Sequence, residues 1–227
     1  MPLDDDPNTW MRENEIKFLK YFRAKYRGRQ TEIIKVRDMD LLVERMVVAP
    51  VPETMPHLTL DRLANFVCSK TVLDMGCGCG INGIFAALNG ATHVTAVDID
   101  PVAVRNTQQN IERFHLQDRM EVVLSNVFDN VRGKYDVIVA NLPIAEVNPL
   151  NGHEQAWSII SRFLSGLKGH LIETDGRAFL FCVSFADPKV FDIIKGSNLV
   201  IEQTTTDNEF GVKFYLYELA CIEKYNH

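Results

Sequence analysis

Val72-Leu73-Asp74-Met75-Gly76-Cys77-Gly78-Cys79-Gly80-Ile81-Asn82-Gly83 is the stretch on which the fold turns. The apolar run Thr71–Asp74 reads as a buried strand, glycine then stands at every second position, and a helix pattern begins directly after. Glycine permits a tight turn and lets backbone N–H groups come close to a ligand. Eighteen residues past Gly80 the next strand ends in Val97-Asp98-Ile99-Asp100. An acid at that point can accept both hydroxyl hydrogens of a ribose. Strand, glycine loop, helix start and acid together describe an adenosine-binding half-site, a stronger signal than glycines alone.

Outward from this loop the pattern alternates. Strands are expected at Thr71–Asp74, His93–Asp98, Glu121–Leu124, Tyr135–Ala140 and Ala178–Ser184, with helices between them. Asp100-Pro101 is an N-cap followed by proline at the first helical position. Ala156, Ile159, Ile160, Phe163, Leu164 and Leu167 form one apolar stripe with Gly169 beyond it. Asp187-Pro188 opens a further helix that Gly196 closes. Strands alternating with helices imply a parallel sheet covered on both faces. Leu199–Thr206 and Val212–Ile222 are joined only by Asp207–Gly211, and so short a link requires an antiparallel pair. The expected class is α/β: a doubly wound, mostly parallel seven-stranded sheet, Rossmann-like, with an antiparallel C-terminal strand.

The first 60 residues read as an extension, with residues 61–227 as the main domain. Ile16, Leu19, Phe22 and Tyr26 suggest an amphipathic helix over 14–26 that Gly28 ends. Strands are expected at Glu32–Val36 and Leu41–Val48 around a turn at Asp38-Met39-Asp40. After the proline cluster Pro50, Pro52 and Pro56, Thr59 reads as the cap of a short helix carrying Leu60, Leu63, Ala64 and Val67.

The 227 residues are 46% hydrophobic and 24% charged, which excludes disorder as the main state and supplies a sizeable core. No apolar run approaches the roughly 18–20 residues needed to cross a bilayer, so no membrane partner is expected. The acidic start, Met1 to Asp6, is unlike a secretory signal, and an odd number of cysteines, five, reads as reduced thiols. Both point to the cytoplasm. The net charge of −6 is uneven: residues 12–37 carry nine Lys/Arg against three Glu, +6, leaving −12 for the rest. A basic arm on an acidic body can meet a phosphate-bearing partner, or it can be a solvated helix face.

Two cofactor classes use this loop geometry. Gly78-x-Gly80-x-x-Gly83 formally matches the dinucleotide fingerprint, which keeps an NAD-dependent oxidoreductase open. Asp74 at the end of the first strand would repel a pyrophosphate and attract a sulfonium or ammonium, which favours S-adenosylmethionine. Asp74-x-Gly76-x-Gly78-x-Gly80, Ala96-Val97-Asp98-Ile99-Asp100-Pro101 and Tyr135–Ile144 resemble the three core motifs of class I S-adenosylmethionine-dependent methyltransferases, in order and spacing, over roughly residues 45–222. Asn141-Leu142-Pro143-Ile144 is similar to the Asn-Pro-Pro-Tyr motif of enzymes that methylate nitrogen. These include the release-factor glutamine and the rRNA and tRNA base methyltransferases. The resemblance implies a cofactor site of Asp74, Gly76, Cys77, Gly78, Gly80, Asp98, Ile99, Asn126, Val127 and Asn141. In it Asp98 would hold the ribose, Ile99 would pack on the adenine, and Ser125-Asn126-Val127-Phe128 would meet the adenine amino group.

Methyl transfer from a sulfonium is an in-line displacement, and the protein's task is alignment. The Asn141 side-chain carbonyl and the Leu142 backbone carbonyl can accept the hydrogens of an acceptor nitrogen and turn its lone pair toward the methyl carbon. Pro143 sets the backbone direction and has no competing donor. Where the family has an aromatic residue this chain has Ile144, which offers apolar contact but no stacking on a planar base or amide. With the acidic body, that departure sets a small molecule or a protein ahead of RNA as acceptor, and it keeps an oxygen nucleophile open. Glu146 and His153 follow closely and are candidates for binding a cationic substrate or taking its proton. Cys77-x-Cys79 lacks a second pair, so no metal is expected. Tyr21-x-x-x-Lys25 precedes the loop, which is the wrong order for a short-chain dehydrogenase pair. A small-molecule O-methyltransferase, the oxidoreductase, and a binding module that keeps the fold without turnover are the competing readings.

Overall fold

The computed structural model describes residues 30–50, 55–142, 153–184, 186–209 and 211–222, together with Glu13, Lys17 and Lys20. These last three are helical, and Lys17 pairs with Glu13 at 2.6 Å. The rest of the helix expected over 14–26, including Tyr21 and Lys25, lies outside the described residues.

The chain first forms a separate two-stranded sheet, β1 (Glu32–Val36) and β2 (Met39–Val43). The turn is tighter than expected. Val36 pairs directly with Met39, leaving Arg37 and Asp38 as the link, and Arg37 takes a φ of 53°. The second strand therefore starts two residues early and stops at Val43, where a turn over Glu44–Val47 replaces the strand expected to run to Val48. Helix α1 (Met55–Leu63) begins before Thr59, which is a buried residue inside it and not its cap. The boundary expected at residue 60 falls within this helix.

The main sheet contains β3 (Thr71–Met75), β4 (His93–Asp98), β5 (Met120–Leu124), β6 (Val137–Ala140), β7 (Arg177–Val183), β8 (Leu199–Glu209) and β9 (Val212–Cys221), in the order β5-β4-β3-β6-β7-β9-β8. The first five of these strands are parallel, and β9 runs antiparallel to both neighbours. Helices α2 (Ile81–Leu88), α3 (Pro101–Arg113), α4 (His153–His170) and α5 (Asp187–Lys195) connect them. The seven strands and the antiparallel C-terminal pair are as the sequence implies. Their link is shorter: Glu209 pairs with Val212, so the hairpin turns through residues 210–211 alone. Helix α4 is longer than its apolar stripe and carries Gly169 inside its last turn.

From β3 the chain crosses to β4 and β5 on one side, then returns to β6 and β7 on the other. Right-handed crossovers in opposite directions put the helices on opposite faces and open a crevice at the C-terminal end of β3. Under that crevice the core is apolar, with Leu73, Ile138, Phe163, Phe179 and Phe214 fully buried. Among the described residues no helix is long and apolar enough to cross a membrane.

Candidate functional site

The glycine loop leaves β3 in that crevice. Gly76, Gly78 and Gly80 have φ values of 70°, 58° and 84°, a left-handed region where a side chain would be strained. The loop is stitched to the next strand, since Gly76 and Cys77 donate their N–H groups to the Val97 carbonyl at 2.9 and 3.0 Å. Asp74 is wholly buried. Its Oδ2 accepts the Gly83 N–H at 2.9 Å and its Oδ1 accepts the Asn82 amide at 3.4 Å, so it ties the start of α2 to the end of β3. Burial pushes its carboxyl up to about 6, against those same donors, which pull it down. Cys77 is buried next to this acid, and burial pushes its thiol well above the ordinary range. None of the five cysteines is in a disulfide.

Asp98 ends β4 half-buried beside the loop. Its Oδ2 accepts the Gly78 N–H at 2.9 Å and its Oδ1 accepts the Asp100 N–H at 3.0 Å. Burial raises its carboxyl above the usual carboxylate range, and these N–H donors oppose the shift. The Ile99 N–H acts on it as well; a carboxylate has about four lone-pair sites, so these donors still leave room for a hydroxyl. Ile99 is next and is 60% exposed, an apolar side chain left in water at the mouth of the site. The Ser125 N–H donates to the Asp98 carbonyl at 2.9 Å, which brings Asn126 and Val127 alongside. Val127 is buried with a φ of 54°, and the Ser125 hydroxyl holds it there by donating to its carbonyl at 2.8 Å. The aromatic ring of Phe128 faces away, stacked on His170 with ring centres 4.2 Å apart.

Asn141 and Leu142 continue from β6, the strand paired with β3. A β-carbon added to Gly76 would stand 3.1 Å from Leu142 Cδ2 and 3.8 Å from the Asn141 carbonyl oxygen, so the two strand ends touch. Pro143, Ile144 and Glu146 lie outside the described residues, and His153 opens α4.

Three residues that the sequence reading passed over complete the setting: Asn106, Thr107 and Asn110, all wholly buried on α3. Thr107 donates its hydroxyl to the Gly78 carbonyl at 3.0 Å, and Asn110 donates its amide to the Cys79 carbonyl at 2.9 Å. Their signal was legible. Polar residues one and four positions apart share a helix face with Ala103 and Ile111, and a buried polar group needs a partner.

These residues fit an adenosine-bearing amino acid. The loop offers turned backbone in the crevice, Asp98 keeps acceptor capacity, and Ile99 presents an apolar shelf. The fold is that of the class I S-adenosylmethionine-dependent methyltransferases, and S-adenosylmethionine is the cofactor of that class. Within it, residues 56–155 match the family model of the ribosomal protein L11 methyltransferases. Over 73 residues the chain is 47% identical to the ribosomal protein L11 methyltransferase of Desulforamulus reducens, a match covering 32% of this chain and 24% of that protein. The chain thus spans about a quarter of the length of the curated relatives it matches. The crystal structure of a ribosomal protein L11 methylase from Lactobacillus delbrueckii subsp. bulgaricus superposes with a TM-score of 0.62 at 21% identity, covering 79% of this chain and 83% of that one. The Pyrococcus abyssi tRNA (uracil-54, C5)-methyltransferase in complex with S-adenosyl-L-homocysteine superposes with a TM-score of 0.62 at 18% identity, covering 85% and 45%. At such identities the two structures speak for a shared fold.

The expected acceptor ranking is corrected by these matches. A small molecule or a protein was set ahead of RNA because Ile144 lacks a stacking ring and the body is acidic. The sequence relatives are named for a ribosomal protein and a structural neighbour for tRNA. One missing ring is a single contact, too little to rank acceptor classes. The same matches do not favour the small-molecule O-methyltransferase or the oxidoreductase.

Proposed function

We propose that this chain transfers a methyl group from S-adenosylmethionine to a nitrogen of a macromolecular acceptor by in-line displacement. The cofactor supplies an electrophilic methyl carbon on a cationic sulfur. Asp98 takes the ribose hydroxyls, Ile99 packs on the adenine, and Asn126 and Val127 meet its amino edge. Asp74 supports the loop that holds the amino-acid end. Asn141 and Leu142 accept the hydrogens of the acceptor nitrogen through their carbonyl oxygens. This points its lone pair at the methyl carbon and stabilises the positive charge that develops there. Pro143 and Ile144 shape the wall beside the acceptor, and Glu146 and His153 are the candidates for receiving its proton. Residues 1–60 act as the lid over this pocket.

The observation that carries this reading is the meeting of four strand ends, β3 to β6, with the glycine loop, Asp98, Asn126 and Asn141 all on that one edge. The names of the relatives make ribosomal protein the acceptor to try first, which goes with a cytoplasmic location. The test is transfer of label from methyl-labelled S-adenosylmethionine to ribosomes, afterwards separated into protein and RNA. Label in a protein band, stable as an N-methyl group on amino-acid analysis, is expected. Label in RNA alone would keep the enzyme class and replace the acceptor; label in neither fraction would overturn the proposal.

A further inference from the structure

Among the described residues no third strand covers the outer edge of β2, and side chains of α3 lie along it. The Leu42 N–H donates to Asn110 Oδ1 at 2.9 Å, and the Leu42 carbonyl accepts the Asn110 amide at 2.7 Å. One side-chain amide thus pairs with a backbone residue as a neighbouring strand would. Asn106 does the same beside it, accepting the Glu44 N–H at 2.9 Å and donating to the Leu42 carbonyl at 2.9 Å. The same face meets the glycine loop, where Asn110 donates to the Cys79 carbonyl and Thr107 to the Gly78 carbonyl, with the Cys77 sulfur 3.3 Å from the Thr107 hydroxyl. Because the peptide is trans and planar, a Gly78 carbonyl held toward α3 turns the Cys79 N–H away from it. The hairpin exit also returns across the loop: a β-carbon on Gly78 would stand 3.8 Å from both Val47 Cγ1 and the Val48 carbonyl oxygen. Arg105 fastens that exit with two bonds to Glu44, at 2.6 and 3.1 Å. At the other end Arg37 pairs with Asp61 and lies 5.2 Å over the Phe85 ring.

We infer that Asn110, Asn106 and Thr107 are positioning residues that couple the β1–β2 hairpin to the glycine loop, so that a ligand ordering the loop also orders the hairpin and its exit over Glu44–Val48. This rests on reading the loop as the S-adenosylmethionine site. Asn110, a buried amide bonded to both backbone segments, fixes the distance between them, while Asn106 and Thr107 on the same helix hold one segment each. Motion of one is resisted by the other, and coupling of this kind is reciprocal. The hairpin is thereby part of the cofactor site without touching the loop through its own strands.

The test joins hydrogen exchange and calorimetry on the full chain, with S-adenosylhomocysteine as the probe. In the wild type, the probe should slow amide exchange over residues 39–48 as well as 76–80. Asn106→Ala is the decisive variant, because Asn106 bonds the hairpin and not the loop. It should weaken the probe by about 5-fold or more, the lower end of typical coupling, and abolish the hairpin's response. Gln108→Ala, an exposed change on the same helix, should alter neither. Asn110→Ala should exceed Asn106→Ala; if it does not fold, Asn106→Ala and the wild-type exchange pattern still decide. Wild-type affinity in Asn106→Ala, or a hairpin that ignores the probe while the loop slows, would overturn the inference. A wild type that binds no probe would overturn the cofactor reading instead. Coupling would then be read without ligand, by whether Asn106→Ala speeds exchange over 76–80, and no change there would sink it.

Discussion

At the residue scale, two side chains separate cofactor binding from chemistry. Asp98 sits against the loop and Asn141 at the neighbouring strand end, so their losses should differ in kind. Asp98→Ala should weaken S-adenosylhomocysteine by about 1–3 kcal/mol, the scale of charge-assisted hydrogen bonds. Calorimetry showing full affinity would remove Asp98 from the ribose. Asn141→Ala should leave that affinity nearly intact and slow single-turnover transfer by at least ~100-fold; a wild-type rate would make the Asn-Leu-Pro segment a mere turn. Asp74 carries a pH signature. Its folded carboxyl lies at about 6, above the ordinary 3.8, so the folded state holds its proton more tightly than the unfolded chain. Stability therefore falls as pH rises from about 4 to 6 and is level above. Asp74→Asn removes this component. The stability of the variant relative to wild type should rise by on the order of 2 kcal/mol between pH 4 and pH 7. Urea melts at the two pH values check it, and parallel melts at both would show that Asp74 is not strained by burial. The acid was visible in the sequence; its burial was not, because it depends on Gly83 and Asn82 closing over it.

At the element scale, α4 is where local pattern and packing disagree. Gly166 sits mid-helix, where alanine is normally better by up to about 1 kcal/mol. Yet a β-carbon there would lie 2.3 Å from Phe128 Cδ2 and 2.6 Å from Cε2. The ring is held on its other contacts by His170 and Phe163, so it has to leave a stack to make room. Overpacking typically costs about 1–3 kcal/mol, which outweighs the propensity gain. Gly166→Ala should be net destabilising in chemical denaturation, and a stabilised variant would mean that Phe128 moves freely. The apolar stripe of α4 was legible in the sequence, whereas the reason for its glycine lies on β5's exit loop, far away in the chain. The β1–β2 hairpin shows the same division: its strands read correctly in type, but the turn tightened to Arg37-Asp38 because Val36 and Met39 pair directly.

At the scale of the molecule, one ionic cluster joins parts that are remote in sequence. Glu218 on β9 is buried and pairs with Arg62 of α1 at 2.5 Å and Arg177 of β7 at 3.3 Å; Arg177 also meets Glu202 of β8 at 2.6 Å. Removing the shared acid leaves Arg62 without its carboxylate and Arg177 with Glu202 alone, in a half-buried place. Glu218→Ala should cost about 3 kcal/mol, the scale for breaking a buried pair, while Glu218→Gln keeps hydrogen bonding and costs less. Equal melting curves for the alanine variant and the wild type would show that the cluster contributes nothing. Since the cluster lies near the start of β7, opposite the glycine loop, S-adenosylhomocysteine affinity should not follow the loss of stability.

The order of strands and helices, the glycine loop, the acid at the end of β4 and the closing antiparallel pair were all written in the chain. They arise from contacts within a few residues, where hydrophobic period, glycine spacing and capping act directly. The burial of Asp74, the placing of β9 between β7 and β8, and the clamp of Asn106, Thr107 and Asn110 were decided only in three dimensions. Each depends on a partner 8 to 68 residues away in the chain. A polar side chain on a helix is read as solvated until the fold brings a backbone edge against it, and only then does its amide become a strand.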